Sequence, residues 1–317
     1  MWPTSAQPLF ATSRRLDLKR LWRRLRRRGG GLRVACVALL SLAALRALVS
    51  LLRARTPPSL CASPAPLVCA HGGETTDGRS LANTAPAYRA ALANAAVTCV
   101  EVDVSRTRDS TLVALHTRQL LQISDGEFDA VGDAQLEALR WYGNQKGEHA
   151  TVLTLHEALA ALVGRGLKVI ILDVKDGPPL GSDGFAGMLL DAIADSGCEE
   201  CLIWAKEDGI VREVVHLGHG PRAGFVLMNE TAAARSSGMH KLSRMHGATV
   251  VAAHWAMVDA ELVRAAKARG LRVYGWTANE QHMVDPLVQA AVAAIVTDDP
   301  ALVASRVAAL RETCGTE

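Results

Sequence analysis

Two segments decide the fold: TCVEVDVS at 98–105 and LKVIILDVK at 167–175. Both are short, rich in Val and Ile, and apolar almost without interruption, the composition of a strand buried on both faces of a parallel sheet. Working outward, six further runs read the same way: LVCA (67–70), CLIWAK (201–206), AGFVLM (223–228), ATVVAAH (248–254), LRVYGWT (271–277) and AAIVTD (293–298). Helical patterns lie between most of them, at 81–96, 156–164, 184–196, 208–217, 231–246, 258–269, 280–292 and 300–312. Gly166, Gly197, Gly247 and Gly270 stand at the helix-to-strand joins, where a residue with positive φ often ends a helix. Eight β/α units in about 250 residues is the count for a closed parallel barrel, an α/β fold of the TIM (β/α)8 kind. A doubly wound open sheet would carry a Gly-rich phosphate loop after its first strand, and His71-Gly72-Gly73 is not that loop.

Strands of such a barrel bury nearly everything, so their ionisable residues carry the functional signal. Glu101 and Asp103 are two apart in one strand and share a face, leaving Val100, Val102 and Val104 on the other. Asp173 and Lys175 repeat the arrangement. Carboxylates crowded in a dry pocket need a counter-charge, and an all-oxygen ligand set suits a hard divalent cation, Mg²⁺ or Ca²⁺. His71 ends the first strand and His116 ends the short apolar run LVAL; two imidazoles beside a metal can serve as general acid and general base. All of these residues fall at the C-terminal ends of expected strands, where barrel enzymes build their sites.

The charge distribution divides the chain. Residues 1–55 hold 13 Lys/Arg and one acid, Asp17, whereas the remainder carries 22 Lys/Arg against 31 Asp/Glu. A mildly acidic body without a basic patch argues against nucleic acid as a partner. The basic run KRLWRRLRRR (19–28) precedes a 19-residue apolar stretch at 34–52, about the length a helix needs to cross a bilayer. Arg46 is its one charge, near the C-terminal end where it can snorkel. The expected organisation is a basic cytoplasmic N-terminus (1–33), a transmembrane anchor (34–52), a Pro/Ser-rich linker (53–66), the barrel domain (67–312) and a short tail (313–317). The positive-inside rule then makes this a single-pass type II membrane protein with its barrel lumenal or extracellular. A cleaved signal peptide and an organelle transit peptide are the alternatives for the same segment.

The motifs AHGG (70–73), NTAPAYRAAL (83–92), VEVDVSRTRD (100–109), ALH (114–116), ILDVK (171–175), GWTAN (275–279) and IVTDDP (295–300) occur in order along the body. Together they resemble the glycerophosphodiester phosphodiesterases, most of all the membrane-anchored plant members, over roughly residues 67–311. The resemblance implies a TIM barrel of the PLC-like phosphodiesterase type. It implies catalytic roles for His71 and His116, metal ligation by Glu101, Asp103 and Asp173, phosphate neutralisation by Lys175, and an alcohol-side wall at Trp276. The implied reaction is metal-dependent hydrolysis of substrates such as glycerophosphocholine, glycerophosphoethanolamine or glycerophosphoinositol to glycerol 3-phosphate and an alcohol. Phospholipase-D-like cleavage of lysophospholipids, or a non-catalytic phosphodiester-binding relative, are the alternatives. Two departures stand out: the family reads His-Arg-Gly where this chain has His71-Gly72-Gly73, and Pro-Glu-Asn-Thr where it has Leu81-Ala82-Asn83-Thr84. Arg79, Arg106 and Lys206 are the candidates to supply the missing positive charge.

Seven cysteines are present, Cys36 in the apolar stretch and six in the body. Up to three disulfides are possible, with connectivity undetermined. Cys198 and Cys201 are expected to form a local disulfide or to stay as buried thiols, and Cys69 and Cys99, on adjacent strands, are expected to be core thiols. Asn229-Glu230-Thr231 is a glycosylation acceptor if the body is lumenal.

Overall fold

The computed structural model describes Ser41 and residues 60–76, 80–177 and 180–315. Apart from Ser41, the expected anchor and basic N-terminus lie outside the described residues, as does Arg79. Among the described residues no helix is long and apolar enough to cross a membrane.

The eight expected strands all form: β1 (Leu67–His71), β2 (Cys99–Arg106), β5 (Val169–Lys175), β6 (Cys201–Ala205), β7 (Ala223–Leu227), β8 (Val250–His254), β9 (Arg272–Trp276) and β10 (Ala294–Thr297). They pair in parallel in that order, and β10 returns to β1, closing the barrel. The closing register sets Leu67 against Ala294 and Ala70 against Thr297. Helices α1 (Ala85–Ala93), α4 (Leu155–Leu162), α5 (Phe185–Ser196), α6 (Asp208–Val214), α7 (Ala232–Ser236), α8 (Ala260–Lys267), α9 (Gln281–Gln289) and α10 (Pro300–Glu312) lie between and after the strands.

Strand alternation separates two cores. Val100, Val102, Val104, Leu172 and Val174 face the helices. Cys69, Cys99, Ile171, Trp204, Val226, Tyr274 and Val296 fill the barrel itself, with Trp204 and Tyr274 edge to face. Glu101 and Asp103 are in phase with Cys99, and Asp173 and Lys175 with Ile171. The period of two therefore sends all four polar side chains up from the interior core toward the barrel mouth.

One excursion was not expected. Strand β3 (Leu112–Ala114) runs antiparallel to the end of β2, and β4 (Leu153–Thr154) pairs with β3. Between them, α2 (Thr117–Ile123) and α3 (Leu136–Gln145) enclose a small core of their own around Leu120, Ile123, Val131 and Leu139. This insertion sits on the end of β2 that carries the acids. The expected helix 231–246 is cut short: α7 stops at Ser236 and Gly238 turns with φ +77°.

Three disulfides form among the described residues: Cys61–Cys314, Cys69–Cys99 and Cys198–Cys201. The Cys69–Cys99 bridge corrects the expectation of core thiols. The two residues are register partners on neighbouring parallel strands and point to the same interior, with Cα atoms 4.2 Å apart. Cys61 lies in the expected linker and Cys314 in the expected tail. Arg311 Nη1 also donates to the carbonyls of Leu60 and Ser63, so the end of the linker is fastened to the last helix.

Candidate active site

Register places the acids. His71 is opposite Glu101, Asp103 is opposite Asp173, and Ser105 is opposite Lys175. Single ligand atoms of His71, Glu101 and Asp103 lie within 4.8 Å of one another, a grouping able to hold a metal ion. Asp173 stands on the other side of Lys175, whose ammonium bridges the two aspartates. Nζ is 2.9 Å from Asp103 Oδ1 and hydrogen-bonds Asp173 Oδ2. Glu101 Oε2 and Asp173 Oδ1 are buried with no hydrogen-bond partner. Orphaned carboxylate oxygens are the donors a hard divalent cation takes, so the residues fit the expected metal.

Each of these groups is held by a neighbour that the sequence reading passed over. Asn83, buried and with φ +66°, donates from Nδ2 to Asp103 Oδ2 at 2.8 Å and accepts the Asp103 backbone N–H at 3.0 Å. The buried Tyr88 hydroxyl donates to Asn83 Oδ1. Asp298, just past β10, receives the Nδ1 proton of His71 at 2.6 Å. Asp298 is itself fixed by Asn279, whose Nδ2 donates to Asp298 Oδ2 at 2.5 Å and whose Oδ1 accepts the Asp298 backbone N–H at 2.8 Å. With Nδ1 so engaged, His71 turns Nε2 toward the pocket.

His116 reaches the mouth because β3 doubles back along β2. It is the N-cap of α2, its Nδ1 accepting the Arg118 backbone N–H at 3.1 Å. The neutral ring therefore carries its proton on Nε2. His71, His116, Asp173, Lys175, Arg118 and Trp276 all line one pocket. Lys206 lies 5.8 Å above the Trp276 ring on a second side of that pocket, and the His254 ring meets Trp276 edge to face at 5.3 Å. Arg106 is committed elsewhere, donating to the carbonyls of Leu180, Gly181 and Asp183.

The electrostatics follow from this crowding. Burial, with repulsion from Asp103 and Asp173, pushes Glu101 up to about 8 despite the nearby His71 and Lys175. Burial works against ionising Asp103 too, but Lys175, His71 and His116 outweigh it and hold that carboxyl below the usual range. For His71, burial opposes charging, yet Glu101, Asp298 and Asp103 overcome it and raise the ring to about 9. Burial, helped by Lys175 and Arg118, brings His116 down to about 4. One contact points the other way. Arg118 Nη2 lies 2.9 Å from His71 Nε2, and because a guanidinium only donates, this contact fits the neutral ring. Neutralising the charge on Glu101 and Asp103 removes the pull toward imidazolium, so the contact matches a site whose carboxylates are compensated.

The profile of the glycerophosphoryl diester phosphodiesterase family matches residues 71–175 and 210–302, which include the two histidines, the three acids, Lys175, Arg118 and Trp276. The chain belongs to that family. Among curated proteins it is 35% identical over 255 residues to glycerophosphodiester phosphodiesterase GDPD4 of Arabidopsis thaliana, covering 78% of this chain and 75% of the relative. A glycerophosphodiester phosphodiesterase of Caldanaerobacter subterraneus subsp. tengcongensis is 26% identical over 240 residues, 74% of this chain and 94% of its own. Of solved structures, an Oleispira antarctica phosphodiesterase in complex with the product sn-glycerol-3-phosphate superposes with TM-score 0.61 at 20% identity, covering 77% of this chain and 97% of that one. A Galdieria sulphuraria structure does so with TM-score 0.64 at 16% identity, covering 78% and 99%. These structures share the barrel.

Proposed function

We propose that this family member hydrolyses glycerophosphodiesters to glycerol 3-phosphate and a free alcohol, using a divalent cation. The observation that carries the reading is the convergence of His71, Glu101, His116 and Lys175 in one pocket, with the buried Asp103 grouped beside His71 and Glu101. Glu101 and Asp103, with Asp173 adjoining, would hold the cation, which when bound supplies Lewis-acid stabilisation of the phosphate oxygens. Lys175 adds fixed positive charge where negative charge grows in the transition state. His71, its Nδ1 proton held by Asp298, offers the Nε2 lone pair to take a proton from the attacking hydroxyl. His116 holds a proton on Nε2 and hydrogen-bonds the oxygen of the departing alcohol with it. Trp276 forms an apolar wall for the carbon skeleton.

Glycerophosphocholine assayed with Mg²⁺, with Ca²⁺ and with EDTA tests this. Release of glycerol 3-phosphate only with metal is expected. Asp103→Ala should remove that turnover while preserving the thermal transition. Turnover of lysophosphatidylcholine alone would move the assignment to lysolipid cleavage.

We further propose that the barrel lies outside the cytosol, tethered by residues 34–52. Support comes from the three disulfides, bonds that persist in oxidising compartments. A C-terminal reporter should be protease-protected in microsomes; digestion of it from the cytosolic side would reverse the topology.

A further inference from the structure

Position 72 cannot supply the arginine that the family's His-Arg-Gly motif carries. Gly72 has φ +66°, and a Cβ there would lie 2.6 Å from the Ala82 Cβ. The backbone is folded for a residue without a side chain. Arg106 is tied to the 180–183 loop, Lys175 is shared between two aspartates, and Lys206 stands over Trp276. Arg118 is the remaining guanidinium on the pocket wall among the described residues.

We infer that Arg118, from the insertion rather than from β1, is the residue that grips the non-bridging oxygens of the substrate phosphate. The inference rests on the phosphodiesterase reading. Its geometry stands on three contacts: Nη2 is 2.9 Å from His71 Nε2, Nη2 is 3.9 Å from Asp103 Oδ2, and its backbone N–H donates to His116 Nδ1. The guanidinium therefore lies against the His71 ring, beside the carboxylate face where an anion bound to a cation would sit. Its side chain is 49% exposed and is held there by one neutral-ring contact and one distant carboxylate. An incoming phosphate can displace both contacts and offers a planar fork two charged acceptors instead. The insertion core of Leu120 and Ile123 anchors α2, so the arginine's backbone is fixed while its tip is free to turn.

The test uses the full chain, with Arg118→Gln and Arg118→Lys. Two readouts are taken: the KM and kcat for glycerophosphocholine, and the calorimetric Kd for sn-glycerol 3-phosphate at saturating metal. Arg118→Gln should raise KM and weaken the Kd by about tenfold or more, with Arg118→Lys recovering part of both. The metal concentration giving half-maximal activity should stay put. If Arg118→Gln binds glycerol 3-phosphate as tightly as the wild type, or changes only the pH profile through His71, the inference falls while the phosphodiesterase reading stands. If the wild type turns over no glycerophosphodiester yet binds glycerol 3-phosphate through Arg118, the activity fails and the anion site holds.

Discussion

At the scale of single residues, the pocket is controlled by side chains one layer behind the reacting ones. Asp298 fixes which nitrogen of His71 bears the proton, and Asn279 fixes Asp298. Asp298→Asn removes the charge but keeps the shape. It should lower kcat about 10–100-fold with little change in KM, measured by steady-state kinetics at the pH optimum. His116 gives a pH signature. Its folded pKa, about 4, is below the ordinary value of 6.5. The stability it contributes is therefore present above pH 6.5 and lost as pH falls toward 4. The fall in Tm between those pH values should be shallower in His116→Gln than in the wild type. The acids, the two histidines and Lys175 were legible in the sequence because each is polar at the end of an apolar strand; Trp276 came only from the family resemblance. Asn83, Asn279 and Asp298 fell within quoted motifs but drew no role, and Arg118 was not singled out. The first three sit in loops and Arg118 on a helix of the unexpected insertion, and their partners are distant in sequence: 227 positions for Asp298 and His71.

Among the secondary-structure elements, the β1–α1 connection is closely packed. Gly73 has φ +98°, and an added Cβ would lie 2.8 Å from the Ala87 carbonyl carbon, within the backbone of α1. Gly73→Ala should destabilise the fold by about 1–3 kcal/mol, read from chemical denaturation. Its effect on the metal requirement should be small. Eight strands were readable because each is a brief β-branched run, several of them introduced by a helix-ending glycine. Helices α2 and α3 were missed for a physical reason. They are short, seven and ten residues, and they bury their apolar side chains in a private core rather than on the barrel. Nor does the sequence show that β3 turns back along β2, the pairing that delivers His116 and Arg118 to the mouth. The barrel's plan lies in local periodicity; the insertion's placement comes from long-range pairing.

For the whole molecule, closure is made twice. Strand β10 pairs with β1, and Cys61 joins Cys314 across 253 residues. A bridge spanning that much chain restrains the unfolded ensemble, and its loss through Cys61→Ser with Cys314→Ser should cost about 2–5 kcal/mol. The denaturant midpoint should fall, while the site, built on β1, β2, β5 and β10, keeps its glycerophosphocholine turnover under native conditions. The spacing of Cys198 and Cys201 pointed to a local disulfide or buried thiols, and the disulfide forms; the other two pairings were not readable, since six cysteines permit fifteen arrangements.

That outer bridge also makes the covalent outline of the barrel a ring. A single protease nick anywhere between Cys61 and Cys314 would leave both pieces tethered, migrating as one species until a thiol is added. Wear on an exposed loop would then be invisible to mass and would be borne without the halves parting.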